Sequence, residues 1–418
     1  MRKALLAVVF VTIVCTANSQ KTNRCGSLEL IKQQMSVDPA YAKKVQDAQR
    51  NVGKYLRNNE RGGKPTSITI PVAVHILWYS PDQNIPDAQV QSQIDVLNED
   101  YTATNRDYNN YDAGYGAVKG DMDLKFCLVQ IVRRQVKIRS FAVTDNMKYS
   151  SRGGSDAIDP MHVFNIWVCN LSGGVLGFAY YPGISPEKFG VVCHINAFGR
   201  GSQYNLFPAF NLGRTTSHEL GHCLGLIHMW GDAKCGSDLV DDTPFHNDPN
   251  FDCPGEGHLS TCAGTPLEMW MNYMDYTDDQ CMYFFSDGQV ARSSFFIDTD
   301  PQLQSITSSA CTTPAVTTTL LSSAGTNSLS SRIAKGQFAV YPSLTKGQIN
   351  IAINALRNGV ATVKIYTQTG ALVMKRQLAV EEGMNTKTMD LSALENGVYI
   401  LQWSQDNAKS VKKLIVQH

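Results

Sequence analysis

Three histidines and a glutamate carry the chemistry that this sequence can do. They fall in one run, His218-Glu219-Leu220-Gly221-His222-Cys223-Leu224-Gly225-Leu226-Ile227-His228. Residues four apart share a helix face, so His218 and His222 can aim two imidazole nitrogens at one point. A zinc ion takes such a pair, and Glu219, beside the first ligand, is placed to act as general base on a water at the metal. Gly225 can end the helix in a left-handed conformation, after which His228 arrives from outside as the third ligand. Three protein ligands leave a fourth tetrahedral position open, the layout of a catalytic zinc. Packing alone gives an amphipathic helix no reason to carry this set at these offsets.

A second stretch agrees with the first. Asn272-Tyr273-Met274-Asp275-Tyr276-Thr277 follows the third histidine. A methionine in a tight turn below the zinc accompanies the long motif in metzincins. The motif, this turn and the cysteines around them resemble the pappalysin family of metzincins over roughly residues 68–300. The resemblance implies an α/β (α+β) catalytic domain with a twisted mixed sheet and an active-site helix. It implies zinc-dependent hydrolysis of protein or peptide substrates, with Tyr276, two residues past Met274, donating a hydrogen bond to the oxyanion. It also implies calcium near the cleft and the disulfides Cys235–Cys262 and Cys253–Cys281; from the residues alone those four cysteines allow three pairings. The loop Asp238-Leu239-Val240-Asp241-Asp242-Thr243 is oxygen-rich, as calcium requires, so Asp238, Asp241, Asp242 and Thr243 are the expected ligands. The rival reading is a non-catalytic binding protein on this fold, its C-terminal domain a substrate-binding module. An intact Glu219 speaks against it, since a structural zinc needs no base.

The elements that must position these groups are legible in outline. Ile68 to Trp78 is nearly continuous apolar sequence and reads as a buried strand. Pro86 to Tyr101 reads as a helix with Val90, Ile94, Leu97 and Tyr101 on one face. The alternation of Leu124, Phe126 and Leu128, the run Val163 to Cys169 and the run Gly190 to Ile195 read as further strands. Gly177-Phe178-Ala179 resembles the metzincin edge strand that binds substrate backbone. Thr215 to Leu224 is the active-site helix, and Ser286 with Gln289 forms a capping-box pattern opening a helix from Asp287 to Phe296.

The 418 residues leave room for more than one domain, and with 37 basic and 37 acidic side chains nothing points to nucleic acid. Residues 1–19 read as a signal peptide: Arg2 and Lys3, an apolar run Ala4 to Val14, then Ala17 and Ser19 at the −3 and −1 positions. Beyond it no window is long and apolar enough for a transmembrane helix. Residues 20–62 read as a pro-segment, helix-prone from Ala40 to Asn58, with a flexible basic cut site at Asn59-Glu60-Arg61-Gly62-Gly63. Arg24-Cys25-Gly26 resembles the family's cysteine switch, in which the Cys25 thiolate fills the fourth zinc position. The catalytic domain is expected over 63–302 and a Ser/Thr-rich linker over 303–334.

Eleven cysteines suit a secreted chain with disulfides. Cys127, Cys169 and Cys193 sit in strand-like runs and read as buried thiols. Cys223 points off the metal face, and Cys311 has no assigned partner. Residues 335–418 read as a small all-β sandwich, with Ile349, Ile351 and Ile353 alternating and turns at Thr369-Gly370 and Asn396-Gly397. Tyr341-Pro342, Val363-Lys364-Ile365-Tyr366, Gly397-Val398-Tyr399 and Lys413-Leu414-Ile415-Val416 resemble the C-terminal sorting domain of type IX secretion substrates. That resemblance implies passage through the periplasm and an outer-membrane secretion machine, ending secreted or attached to the cell surface. One phrase departs from the pattern: Ser343-Leu344 stands where Asn-Pro is usual.

Overall fold

Strand β2 (Ile68–Trp78) owes its apolar run to two parallel neighbours, β4 (Leu124–Gln135) on one side and β5 (Phe164–Cys169) on the other. Pro71 falls just before the two-sided stretch begins at Val72, so its missing N–H costs the ladder little. The computed structural model describes residues 23–58, 67–311, 317–322, 337–341, 344–345, 347–405 and 408–416. The signal peptide and the expected cut site lie outside the described residues.

In chain order the first elements are β1 (Asn23–Cys25), α1 (Ser27–Val37), α2 (Pro39–Asn58), β2, α3 (Asp87–Tyr101), β3 (Lys119–Gly120), β4 and β5. Then come β6 (Val175–Phe178), β7 (Val191–His194), α4 (Arg214–Cys223), β8 (Phe285–Ser286), α5 (Asp287–Thr299), α6 (Pro301–Thr307) and β9 (Thr317–Ser322). The main sheet runs β1-β6-β7-β5-β2-β4-β9. Every neighbouring pair is parallel except β6 with β7, so the sheet is mixed.

Helix α3 packs the predicted face, Val90, Ile94, Leu97 and Tyr101, into the core. From there it holds the next helix: the Tyr101 hydroxyl donates to the Ser217 carbonyl at 2.8 Å. All ten residues of α4 are buried, which makes its polar residues a question of partners rather than of solvent. Helix α5 begins with the predicted capping box, Ser286 and Gln289 bonding reciprocally.

Two expectations change. Cys127 is not a free thiol: it is disulfide-bonded to Cys311. Cys169 and Cys193 are free and buried, as read, and Cys223 is free and buried too. The segment expected as linker from 303 onward is partly ordered structure of the catalytic body. Asp300 caps α6 through the N–H groups of Gln302 and Leu303, Leu303 and Ile306 are buried, and β9 adds in parallel to β4. Low charge and many Thr suggested a linker, but threonine is also a strand former, and an edge strand with a paired ladder outweighs composition.

The remaining strands form a separate body. They are β10 (Gln337–Tyr341), β11 (Leu344–Thr345), β12 (Gln348–Ala355), β13 (Gly359–Thr367), β14 (Leu372–Val380), β15 (Gly383–Asp390), β16 (Gly397–Gln405) and β17 (Ala408–Val416). They build a three-stranded sheet, β10-β12-β15, and a five-stranded one, β11-β17-β16-β13-β14. Ile349, Ile351, Ile353, Val363, Ile365, Leu401 and Trp403 fill the core, the alternation that the sequence shows.

Candidate metal centre

Helix α4 brings His218, Glu219 and His222 to one buried face, and its end is built for the turn that follows. Leu226 N–H donates to the Gly221 carbonyl at 3.0 Å and Gly225 N–H to the His222 carbonyl at 2.9 Å, a Schellman closure with Gly225 at φ 83°. A side chain at Gly225 would also collide with the Phe296 ring. The turn delivers His228 to the same point.

Each ring is oriented from behind. His218 Nδ1 donates to the Tyr273 carbonyl at 2.7 Å, His222 Nδ1 to the Leu226 carbonyl at 2.9 Å, and His228 Nδ1 to Asp232 at 2.5 Å. With the proton on Nδ1, each Nε2 carries a lone pair pointing inward. His222 Nε2 and His228 Nε2 then face each other at 3.1 Å, two lone pairs with no proton between them. His218 Nε2 is buried without a hydrogen-bond partner. Burial pushes His222 down to about 3 and lowers His218 well below the usual range, so both of these rings are neutral. Three convergent Nε2 atoms, one of them buried without a partner, suit a zinc ion and suit little else. Among the described residues, the His/Cys/Asp/Glu group placed to hold a metal is Cys25, His218, His222 and His228.

Glu219 lies beneath the edge strand. A Cβ at Gly177 would stand 2.7 Å from Glu219 Cγ, so the strand passes directly over the carboxylate. Burial pushes its carboxyl up to about 8. Met274 lies under α4, its sulfur 2.5 Å from where a Cβ on Gly221 would be. Glycine at that position of the motif therefore makes room for the turn. The Tyr276 hydroxyl is 3.3 Å from His228 Nε2.

The pro-segment enters this site as a strand. β1 pairs in parallel with β6, Cys25 opposite Gly177, and Gly26 N–H donates to the Gly177 carbonyl at 2.8 Å. Cys25 Sγ lies 3.4 Å from His222 Nε2 and 3.4 Å from Glu219. Further contacts were not read from the sequence. The Ser27 hydroxyl donates to Glu219 at 2.8 Å and accepts from Ala179 N–H. Arg24 is buried against Asp279 at 2.7 Å, donates to the Thr277 carbonyl and stacks over Phe210. The other Asp279 oxygen accepts from Leu212 and Arg214 N–H, at the start of α4. Of the acidic pair Asp278-Asp279, the second bonds Arg24 directly, and the first acts on it only through its charge. Asp232 had a sequence signal, its spacing of four after His228, but a turn rather than a helix joins them.

Disulfides Cys235–Cys262 and Cys253–Cys281 are present. The four residues expected for calcium do not converge. Asp242 accepts from Ser286 Oγ and Gly288 N–H, both at 2.7 Å, and so caps α5. Asp241 is exposed. Asp238 is buried, with Thr243 and the Val240 N–H as its partners.

A family model described as pregnancy-associated plasma protein-A matches residues 148–298, and one described as a secretion system C-terminal sorting domain matches residues 339–417. An extracellular metalloprotease of Arthroderma benhamiae is 31% identical over 239 residues, covering 54% of this chain and 76% of that relative. One of Trichophyton verrucosum is 28% identical over 302 residues, covering 68% and 88%. A Tannerella forsythia promirolysin variant is similar with a TM-score of 0.62 and 34% identity, over 68% of this chain and 97% of that one. Mature mirolysin with a cleaved peptide gives 0.55 and 37%, over 58% and 96%. In the described residues no helix is long and apolar enough to cross a membrane. The chain therefore belongs to the pappalysin family, as a secreted zinc metalloendopeptidase with a type IX sorting tail.

Proposed function

We propose that His218, His222 and His228 hold the zinc and that Glu219 is the general base of peptide-bond hydrolysis. The observation behind this is the set of three inward Nε2 lone pairs, one of them without any partner, beside a buried carboxylate. Zinc bound there supplies Lewis acidity, acidifying a water and polarising the scissile carbonyl. Glu219 takes a proton from the attacking water and hands it to the leaving amine. Tyr276 donates a hydrogen bond to the carbonyl oxygen as it gains charge. In the structure that hydroxyl donates to the Cys25 carbonyl at 3.3 Å, so a pro-segment peptide oxygen takes the place assigned to the substrate's. Met274 supports the site from below.

Cys25 keeps the precursor latent by filling the fourth metal position, and Ser27 occupies the base. Release follows cleavage between residues 59 and 63. The domain reading becomes signal peptide 1–19, pro-segment 20–62, catalytic domain from 63 through Ser322, a connection to 334, and sorting domain 335–418. Calcium belongs at Asp238 with Thr243. Asp238 is a nearly fully buried carboxylate, pushed up to about 7 by desolvation, whose hydrogen-bond partners are the Thr243 hydroxyl and the Val240 N–H.

Arg24 also suggests what the mature enzyme cuts. Its pocket, with Asp279 at the floor, the Thr277 carbonyl and the Phe210 ring, suits the arginine or lysine of a substrate once the pro-segment has gone. A cleavage profile of the mature enzyme on a peptide library, read beside its zinc content, tests both parts. Arg and Lys should be enriched at one position beside the cut, and Asp279→Asn should erase that enrichment. A profile indifferent to basic residues rejects the pocket. Full zinc and full activity in His228→Ala reject the ligand set.

A further inference from the structure

A second buried cluster of titratable groups lies beside the Met-turn, and the hydrolysis above does not use it. His246, Glu268 and Asp275 are almost fully buried around Asn250, and His258 closes the cluster toward solvent. Met269 N–H donates to His246 Nε2 at 3.0 Å. The ring's proton is therefore on Nδ1, which faces Asp275 Oδ2 at 3.1 Å. The same oxygen accepts from Asn250 Nδ2 at 2.8 Å. Oδ1 of Asp275 accepts from two backbone N–H groups, Asn250 and Tyr276, each at 2.8 Å. Glu268 holds the far side, accepting from Asn250 Nδ2 at 2.7 Å and Asn247 N–H at 2.9 Å.

Asp275 is thus the residue between Met274, which lies under α4, and Tyr276, whose hydroxyl reaches the metal site. Its carboxylate grips the N–H of the Tyr276 peptide. The last torsion of an aspartate is broad, so one gripped oxygen does not fix the group's plane. The other oxygen is held by the Asn250 Nδ2–H at 2.8 Å together with His246 Nδ1, 3.1 Å away, and these two set the plane. We infer that His246 is a positioning residue for the hydrolysis: by orienting Asp275 it sets where the Tyr276 hydroxyl stands over the reacting carbonyl. Imidazoles and carboxylates behind metal ligands act in the same way on the ligands they back. Here the backed element is a turn that carries a hydrogen-bond donor. The inference rests on the assignment of Tyr276 to the oxyanion.

Two substitutions separate positioning from mere packing, because each keeps one half of the ring's bonding. His246→Asn keeps an N–H donor where Nδ1 stands and loses the acceptor for Met269. His246→Gln keeps an acceptor for Met269 and loses the donor to Asp275. In the mature enzyme with full zinc, His246→Gln should lower kcat about tenfold with KM close to the parent value. His246→Asn should recover most of that loss. A role confined to anchoring Met269 predicts the reverse order and overturns the inference. Coupling gives the second readout. Tyr276→Phe should cost about a hundredfold in kcat, and adding His246→Gln to it should cost about twofold or less, since the donor it positions is gone. An equal factor in both backgrounds overturns the inference and leaves Tyr276 in its role. Unchanged kcat in Tyr276→Phe removes the oxyanion assignment and this inference together, while the histidine ligands and Glu219 stand.

Discussion

The two packed bodies of the chain bury different kinds of matter. The C-terminal sandwich closes over Ile351, Ile365, Leu401, Trp403 and their neighbours, an apolar core; its buried polar side chain, Gln405, bonds the Leu356 N–H and the Arg357 carbonyl. The catalytic body buries His218, His222, His228, Glu219, Arg24, Asp279, Arg214 and Asp100 around one helix. An apolar core asks for volume and period, and its losses come a methylene at a time. A buried polar core asks for every partner at once, because a group left unpaired keeps its full desolvation cost. The same contrast explains why the pro-segment fits so closely: Arg24, Cys25 and Ser27 supply partners that the open site lacks.

The comparison can be broken most severely at Glu219. Glu219→Ala should retain zinc and lose roughly 10³–10⁴-fold in casein hydrolysis. Metal analysis and activity on one preparation decide it, and an active, zinc-loaded variant ends the mechanism. Cutting the two bodies apart comes next. A chain ending at Ala334 should keep its peptidase activity yet accumulate in the periplasm of its native host; its normal export would remove the sorting role, and lost casein cleavage with zinc retained would make the tail a substrate-binding module.

Within the precursor, Arg24→Ala should weaken the seat of the pro-segment by about 3–5 kcal/mol, since Asp279 keeps a buried charge with its ion-pair partner gone. Cys25→Ala should do the same by another route, opening the fourth metal position. Both precursors should show activity before the cut or mature faster. Two precursors as silent as the parent would make these contacts bystanders.

A smaller effect follows from Asp238. Its carboxyl is held up at about 7 against an ordinary 3.8, so the folded chain keeps the proton. The stability this gives is full below about pH 4 and is lost as pH rises through 7. In the absence of calcium the melting temperature should fall by roughly 2–4 °C across that window relative to Asp238→Asn. Calcium should abolish the fall in the parent chain. Parallel curves with and without calcium would leave Asp238 a capped turn residue.

The mildest prediction belongs to the sandwich. Ile351→Val should cost about 0.5–1.5 kcal/mol in denaturant unfolding of that body and leave casein hydrolysis unchanged. A loss of activity would mean that the two bodies are energetically joined.

By itself the sequence determined whatever depends on local spacing. Helix α4 with its two inward histidines, the Gly225 turn to His228, the capping box at Ser286 and the inward isoleucines of β12 all follow from periods of 3.6 and 2 and from the special backbone of glycine. Met274 and Cys25 came from motif and family resemblance, and so did the two disulfides around the Met-turn. Only the tertiary structure decided which distant groups meet. Ser27 on Glu219, Arg24 on Asp279, Cys127 with Cys311 and His246 behind Asp275 have no local pattern, because their partners are set by how the sheet and loops cross in space. The acidic loop makes the same point in reverse: Asp238, Asp241 and Asp242 look equivalent along the chain, yet one is buried, one is exposed and one caps a helix. Composition counts carboxylates, but only packing decides which of them lose their water.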